Sequence, residues 1–146
     1  HLINVLNYNG KVIFWKIAIK PGRPLGFGLI HQVPIICLPG NPVSVFLLFK
    51  MIIQPFLLKL AGSNWIEPKS IPAKINFFMK KKTNRLEWLR VNIEKKITKE
   101  LVVKKYPKQG SGIISSISFS DGIIEIPENT SVLKPGDVFN FYPLFF

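Results

Sequence analysis

The segment 38–44, which reads Leu-Pro-Gly-Asn-Pro-Val-Ser, constrains the fold more than any other stretch of the chain. It follows a run at 33–38 that is rich in Val, Ile and Leu, as is typical of a buried strand. It precedes an apolar stretch in which Asn41 can serve as helix N-cap and Pro42 as the first helical residue. A strand that enters a helix through such a turn leaves amide groups free to bind an anion.

The apolar stretch 43–61 has helical spacing and ends at Gly62, a suitable C-cap. Its length approaches that of a membrane span, but Lys50 and Lys59 interrupt it, and charges are costly within a bilayer. We therefore predict a core helix with a proline kink near Pro55 and no membrane partner.

Composition narrows the function classes. The chain has 146 residues, a formal charge of +12 and 47% hydrophobic residues, which excludes a disordered protein and suits a phosphate-bearing or other anionic partner. Cys37 is the single cysteine, so a disulfide framework is excluded and a reducing, cytoplasmic location is expected. The chain opens on His1 within apolar sequence, and we interpret it as the C-terminal piece of a longer protein.

The stretch 12–19 reads as one strand that would place Lys16 and Lys20 on the same face. Lys20 opens the turn 20–24, in which two prolines and a glycine fix a rigid, basic conformation. From spacing alone, a ligand-binding Lys16 and a solvated strand-edge Lys16 are about equally favoured. The next apolar run, 25–30, is predicted as an added edge strand whose two glycines permit close backbone approach.

The strands that end at Lys20 and Leu38 are expected to be parallel and close in one sheet, so that both following turns emerge at one rim. The amides of Val43 and Ser44 are expected to point into the same space. His31 is assigned to a hairpin connection, since no metal-binding side chain lies near it in sequence.

Beyond residue 62 the pattern changes to short strand-like runs separated by turn signals, with no long helix between them. This pattern predicts a small β-barrel or sandwich. The segment 113–119 fits either a helical turn or a strand. The predicted strands cover residues 73–79, 86–93, 101–106, 123–126 and 138–142.

Five segments carry a family resemblance. Residues 14–24 (FWKIAIKPGRP) and 38–44 (LPGNPVS) resemble motifs of the molybdopterin molybdenumtransferases, a family related to the C-terminal domain of gephyrin. Residues 85–91 (RLEWLRV), 109–116 (QGSGIISS) and 121–128 (DGIIEIPE) agree in order and spacing. The resemblance covers nearly the whole chain.

The resemblance implies an α/β remnant, the C-terminal part of a molybdopterin-binding domain at 1–62, followed by a small all-β barrel domain at 63–146. It implies insertion of molybdenum from molybdate into adenylylated molybdopterin with Mg²⁺, in a protein that is a homodimer when full-length. The acidic Mg²⁺ ligands are expected in a missing upstream part, because the eight acids of this chain form no cluster. We therefore expect the chain to be inactive alone.

The resemblance also assigns site residues. Lys16 and Lys20 match active-site lysines of the family, and Arg23 replaces a lysine that is common there. The remaining residues are expected to bind substrate: Pro21, Gly22, Arg23, Pro24, Pro39, Gly40, Asn41, Pro42, Ser44, Arg90, Ser111 and Ser116.

The alternative is a non-enzymatic binding or scaffold module that uses its basic surface to contact RNA or another protein. It predicts a nucleic-acid affinity that falls steeply with salt and aromatic side chains available for base stacking. The lysine clusters favour solvated turns over such a surface, so nucleic acid is not expected as the partner.

Overall fold

A computed structural model describes residues 2–97 and 100–145, with the side chains of residues 95–97 left aside. The sequence also predicts the tail of a helix over residues 1–9, of which His1 lies outside the described range. The described helices and strands, in chain order, are α1 (Leu2–Asn9), β1 (Gly10–Trp15), β2 (Ile19–Lys20), β3 (Gly26–Ile30), β4 (Val33–Cys37), α2 (Pro42–Leu48), a π-helical segment (Phe49–Ile53), α3 (Gln54–Leu60), β5 (Ile71–Ile75), β6 (Met79–Lys80), β7 (Leu86–Ile97), β8 (Glu100–Lys105), α4 (Ser115–Ser118), β9 (Gly122–Ile126), β10 (Val132–Leu133) and β11 (Val138–Pro143).

The first sheet has the order β1-β3-β4, and both pairings are antiparallel. The prediction that 25–30 forms an added edge is wrong, because β3 is the central strand. Its glycines explain the position: a Cβ at Gly26 would lie 2.5 Å from the Trp15 ring, and one at Gly28 would lie 2.7 Å from the Lys11 carbonyl oxygen. Since β1 and β4 both run antiparallel to β3, they are parallel near neighbours in one sheet.

The predicted continuous strand 12–19 is wrong. The chain leaves the first sheet at Lys16, whose φ of 107° turns the backbone, and the Lys16 and Ile17 amides donate to Leu25 and Arg23 carbonyls at 2.9 Å. Strand β2 then pairs in parallel with β7, in a different sheet. Lys16 and Lys20 therefore do not share one strand.

The helical stretch begins at Pro42, as predicted, and ends before Gly62, whose φ of 91° suits the C-terminal turn. A proline kink was predicted near Pro55. In the structure, the π-helical segment Phe49–Ile53 ends immediately before α3, whose second residue is Pro55. By length and composition, the stretch 42–60 could cross a membrane. Its residues Val43 and Leu47 are nevertheless completely buried against the remainder of the protein.

Five strands close a barrel in the order β7-β8-β5-β11-β9, with β9 pairing back to β7. The predicted barrel is confirmed. The predicted strand 73–79 splits into β5 and β6, and the ambiguous stretch 113–119 contains the short helix α4. The barrel interior is apolar and is filled by Ala73, Ile75, Leu89, Val91, Val103, Ile124, Ile126, Leu133 and Phe141.

A second hydrophobic core joins the helix to the outer face of the barrel. It packs side chains from the first 62 residues against side chains from the barrel, so the two predicted domains share buried surface. The domain bounds themselves stay a prediction. The buried members of this core are Leu25, Val43, Leu47, Leu48, Ile53, Trp88, Ile117, Ile123 and Leu144.

Candidate functional site

A cleft of about 1160 Å³ lies where the first sheet meets the barrel. The turn 20–24 and the turn 39–41 both line it, together with the start of β7 and the loop 109–111. The prediction that the two turns meet at one place is confirmed. The expectation that the strands before them share one sheet is wrong, because β2 pairs with β7 of the barrel while β4 belongs to the first sheet. A volume of this size suits a ligand larger than a simple oxyanion.

The parallel pairing of β2 with β7 positions Lys20. The register sets Lys20 beside Glu87, and the lysine Nζ donates to Glu87 Oε1 at 2.8 Å. The Lys20 side chain is 46% exposed, whereas that of Glu87 is 5% exposed. The buried carboxylate thus anchors a lysine whose ammonium still reaches the cleft.

Arg85 adds a second cation beside the same carboxylate, with its Nη2 atom 3.8 Å from Glu87 Oε2. The Nζ atom of Lys81 donates to the Arg85 carbonyl at 2.8 Å and so fixes the turn that carries this arginine. Burial lowers the pKa of Lys81, and the charge of Glu87 opposes that change.

Arg90 lies in β7 and is 1% exposed. The side-chain amide of Gln109 accepts from the Arg90 backbone amide at 3.1 Å and donates to the Arg90 carbonyl at 2.7 Å. The Arg90 Nη2 atom also donates to the Gly110 carbonyl at 3.3 Å. Burial lowers the pKa of Arg90, and Glu87 raises it by a smaller effect. Gln109 therefore holds the cleft loop against the strand that carries the buried arginine.

Ser111 connects this loop to the turn before the helix. Asn41 Nδ2 donates to Ser111 Oγ at 2.8 Å, and the Val43 amide donates to the Ser111 carbonyl at 3.3 Å. Asn41 occupies the predicted N-cap position, but its side chain makes no hydrogen bond to the helix, so the expected capping hydrogen bond is wrong. The expected free Val43 amide is also wrong, because the barrel loop already accepts its hydrogen bond.

Most predicted site residues line the cleft. Two do not: Ser116 is fully buried and donates from Oγ to the Ile113 carbonyl, while Pro42 is exposed outside the lining. The structure therefore corrects the expected position of Ser116. The predicted residues that the structure brings together are Lys16, Lys20, Pro21, Gly22, Arg23, Pro24, Pro39, Gly40, Asn41, Ser44, Arg90 and Ser111.

Several lining residues were missed from sequence, namely Asn84, Arg85, Glu87, Trp88 and Gln109. A signal for one of them was present. Glu87 is a carboxylate directly flanked by Leu86, Trp88 and Leu89, and buried acids require a partner. The remaining members carry no local signal, since their role depends on contacts distant in sequence.

The charge of the cleft favours anions. Among the described residues that line it, the cations are Lys16, Lys20, Arg23, Arg85 and Arg90, and the one acid is Glu87. The described residues contain no group of three or more His, Cys, Asp or Glu side chains that could hold a metal ion. With Lys20 and Arg85 beside it, Glu87 does not fit a Mg²⁺ site.

Comparisons with known proteins agree on one group. Residues 72–144 match the family model "MoeA C-terminal region (domain IV)", and residues 4–59 match "Probable molybdopterin binding domain". A molybdopterin molybdenumtransferase of Haemophilus influenzae is 33% identical over 140 residues, which cover 95% of this chain and 35% of that protein. A molybdopterin molybdenumtransferase of Synechocystis is 27% identical over 128 residues, which cover 86% of this chain and 30% of that protein.

A solved structure shows the same similarity. The molybdopterin biosynthesis MoeA protein of Pyrococcus horikoshii superposes with a TM-score of 0.78 at 28% identity, covering 99% of this chain and 34% of that one. The chain spans about a third of the length of the curated relatives described above.

Proposed function

Because this chain belongs to the MoeA family, we propose that it serves in molybdenum cofactor biosynthesis, in the insertion of molybdenum from molybdate into adenylylated molybdopterin. The observation that carries the proposal is the convergence of five cationic side chains on one cleft. That cleft is built jointly by the two regions that match the family models. Molybdate is a dianion and the pterin substrate carries phosphates, so the same cleft attracts both.

The residues act by binding and orientation. Lys16 and Lys20 stabilise negative charge on the oxyanion, and Glu87 holds Lys20 in place. Arg90 presents a fixed charge because its loop partners immobilise it. The cations hold molybdate beside the phosphate-bearing pterin against the repulsion between the two anions. This positioning lowers the barrier to transfer of molybdenum from one to the other. The described residues do not fit Mg²⁺.

The remaining parts of the proposal concern the whole protein. We propose that it is cytoplasmic and dimeric when full-length, and that this chain supplies the cationic side of the site without turning over alone. The alternative, a basic module that binds RNA or protein, would use cations spread over the surface. The five cleft cations favour a small anionic ligand instead.

Calorimetric titration of the chain with molybdate and with AMP tests the proposal. Replacing Lys16 or Lys20 by Ala is expected to raise Kd about 10- to 100-fold, since each lysine provides a charge-assisted hydrogen bond. The matched control is Lys104→Ala, which removes an exposed lysine of β8 outside the cleft. Urea unfolding of Lys20→Ala separates lost binding from the destabilisation caused by an unpaired Glu87.

Binding of neither anion, or equal losses for Lys104→Ala and Lys20→Ala, would contradict the proposed function. A titration with single-stranded RNA at rising salt addresses the alternative. Tight RNA binding that is lost in Lys104→Ala and retained in Lys16→Ala would favour the basic module.

A further inference from the structure

Three buried polar atoms in the described part of the chain have no hydrogen-bond partner on the protein: Arg85 Nε, Glu87 Oε2 and Arg90 Nε. All three residues line the cleft, and Glu87 and Arg90 are only 4% and 1% exposed. Buried polar groups are nearly always paired, so their clustering at one cleft needs an explanation. A ligand that offers both a donor and an acceptor would satisfy them.

An oxyanion does not meet this requirement. Glu87 Oε1 accepts from Lys20, while Oε2 lies 3.8 Å from Arg85 Nη2, too far for a hydrogen bond. Molybdate and phosphate oxygens are acceptors, so placing one beside Oε2 would set two negative charges together and leave Oε2 unpaired. The part of the cleft around Glu87 is therefore suited to a neutral group that donates hydrogen bonds.

The pyrimidinone edge of a pterin has the required pattern. It presents a carbonyl acceptor at position 4, then an N–H donor at position 3 and an amino donor at position 2. An adenine ring lacks such adjacent donors, because its exocyclic amine lies beside an acceptor nitrogen. A carboxylate flanked by guanidinium groups complements the pterin edge, with the carboxylate on the donors and a guanidinium on the carbonyl.

We infer, building on the proposed function, that Glu87 is a specificity-determining residue that accepts hydrogen bonds from the N3–H and 2-amino groups of the pterin ring. Arg85 donates to the carbonyl at position 4. Oε2 is shielded from solvent, so the ring reaches it by displacing the Arg85 side chain, which is 34% exposed and makes no hydrogen bond to Glu87. The lysine side of the cleft then holds the phosphate of the same substrate.

Two fluorescent probes test this inference on the full 146-residue chain. 6-Phosphomethylpterin and 6-phosphomethyllumazine share the ring frame and the phosphate, but lumazine has an oxygen at position 2 where pterin has the amino group. The wild-type chain is expected to bind the pterin probe at least about tenfold more tightly, because the lumazine oxygen faces a carboxylate. In Glu87→Gln the ratio is expected to fall to near one.

The matched control is Glu100→Gln, which removes the same charge from an exposed ion pair with Lys74 outside the cleft. It is expected to keep the wild-type ratio.

The ratio of the affinities for the two probes can be measured on the wild-type chain alone, so the inference stays testable if Glu87→Gln does not fold. Equal affinity of the wild-type chain for both probes would overturn the role of Glu87 while leaving the proposed function intact, provided that molybdate still binds. Retention of the ratio in Glu87→Gln would likewise overturn it. Binding of neither probe and no binding of molybdate would overturn the proposed function as well.

Discussion

Replacing Gly22 by Ala is expected to damage both the fold and the cleft. Gly22 is buried in the turn that follows Lys20, and its φ of +130° is a conformation that side-chain-bearing residues rarely adopt. A Cβ built there would lie 2.9 Å from Leu48 Cδ2. Leu48 is completely buried in the core that joins the helix to the barrel, so it has little room to move.

Two costs add in this variant. A residue held in a disfavoured backbone region costs about 1–3 kcal/mol. An extra methyl group forced into a packed core costs about 1–3 kcal/mol more. The free energy of unfolding should therefore fall by about 2–6 kcal/mol, a large part of the 5–15 kcal/mol that is typical of a domain.

Urea unfolding followed by tryptophan fluorescence measures this loss. The control is Gly40→Ala in the same cleft, where a Cβ would meet nothing within 4 Å. That variant should change the free energy of unfolding by less than about 0.5 kcal/mol. If Gly22→Ala proved as mild as Gly40→Ala, the packing of the turn on Leu48 would be refuted.

A double variant separates the two costs. Replacing Leu48 by Ala in the Gly22→Ala background removes the close contact but leaves the backbone strain. The coupling energy between the two sites should be about 1–3 kcal/mol, the cost of the extra methyl group, which lies within the range of about 0.5–3 kcal/mol for residues in contact. A coupling energy near zero would assign the whole effect of Gly22→Ala to the backbone.

The other predictions concern the hydrogen bond between Asn41 and Ser111, the barrel and the whole chain. Asn41→Ala and Ser111→Ala should each lower the free energy of unfolding by about 1 kcal/mol, and a double-mutant cycle that finds them additive would exclude their hydrogen bond. Burial raises the pKa of Tyr142, so stability should decline as pH rises through that raised value, and Tyr142→Phe should decline less in alkaline urea titrations. Hydrogen exchange should be slower in β7, which pairs with β8 and β9 in the closed barrel, than in the largely exposed stretch 54–60, and the opposite order would contradict this expectation. The purified chain should show no conversion of adenylylated molybdopterin, and measurable turnover would refute the expected inactivity.

Sequence reasoning succeeded where local chemistry decides the structure. Pro42 and Gly62 bound the helix because a proline suits the first helical turn and a glycine suits the left-handed C-terminal turn. The barrel followed from repeated turn signals between short strands. In both cases the deciding residues are neighbours in the chain, so a local pattern contains the information.

The wrong predictions concern positions where residues distant in the chain decide the structure. The run 12–19 alternates like one strand, yet it divides at Lys16 because carbonyl groups in the turn 23–25 accept the next two amides. Strand β3 is central, with Trp15 of β1 packed over its Gly26. The sequence of β3 alone does not indicate this contact. Tertiary contacts override local propensity at both places.

The site shows the same division between local and distant information. The cationic turn 20–24 was visible as a motif, but the carboxylate that holds Lys20 lies 67 residues away. Ser116 and Ser111 were both predicted to bind substrate, since both are serines of one glycine-rich segment. The short helix α4 turns Ser116 inward, where its hydroxyl donates to the Ile113 carbonyl instead of reaching the cleft.

These contacts make the cleft a joint product of both halves of the chain. Strand β2 belongs by sequence to the first half, but its hydrogen-bond partner is β7 of the barrel. In return, the barrel loop at Ser111 binds Asn41 and Val43 in the first half. Each half therefore supplies a strand or loop that positions the cleft residues of the other. Separating them between residues 62 and 63 would expose the shared core and release Lys20 from Glu87, so neither half alone could present the cationic cleft.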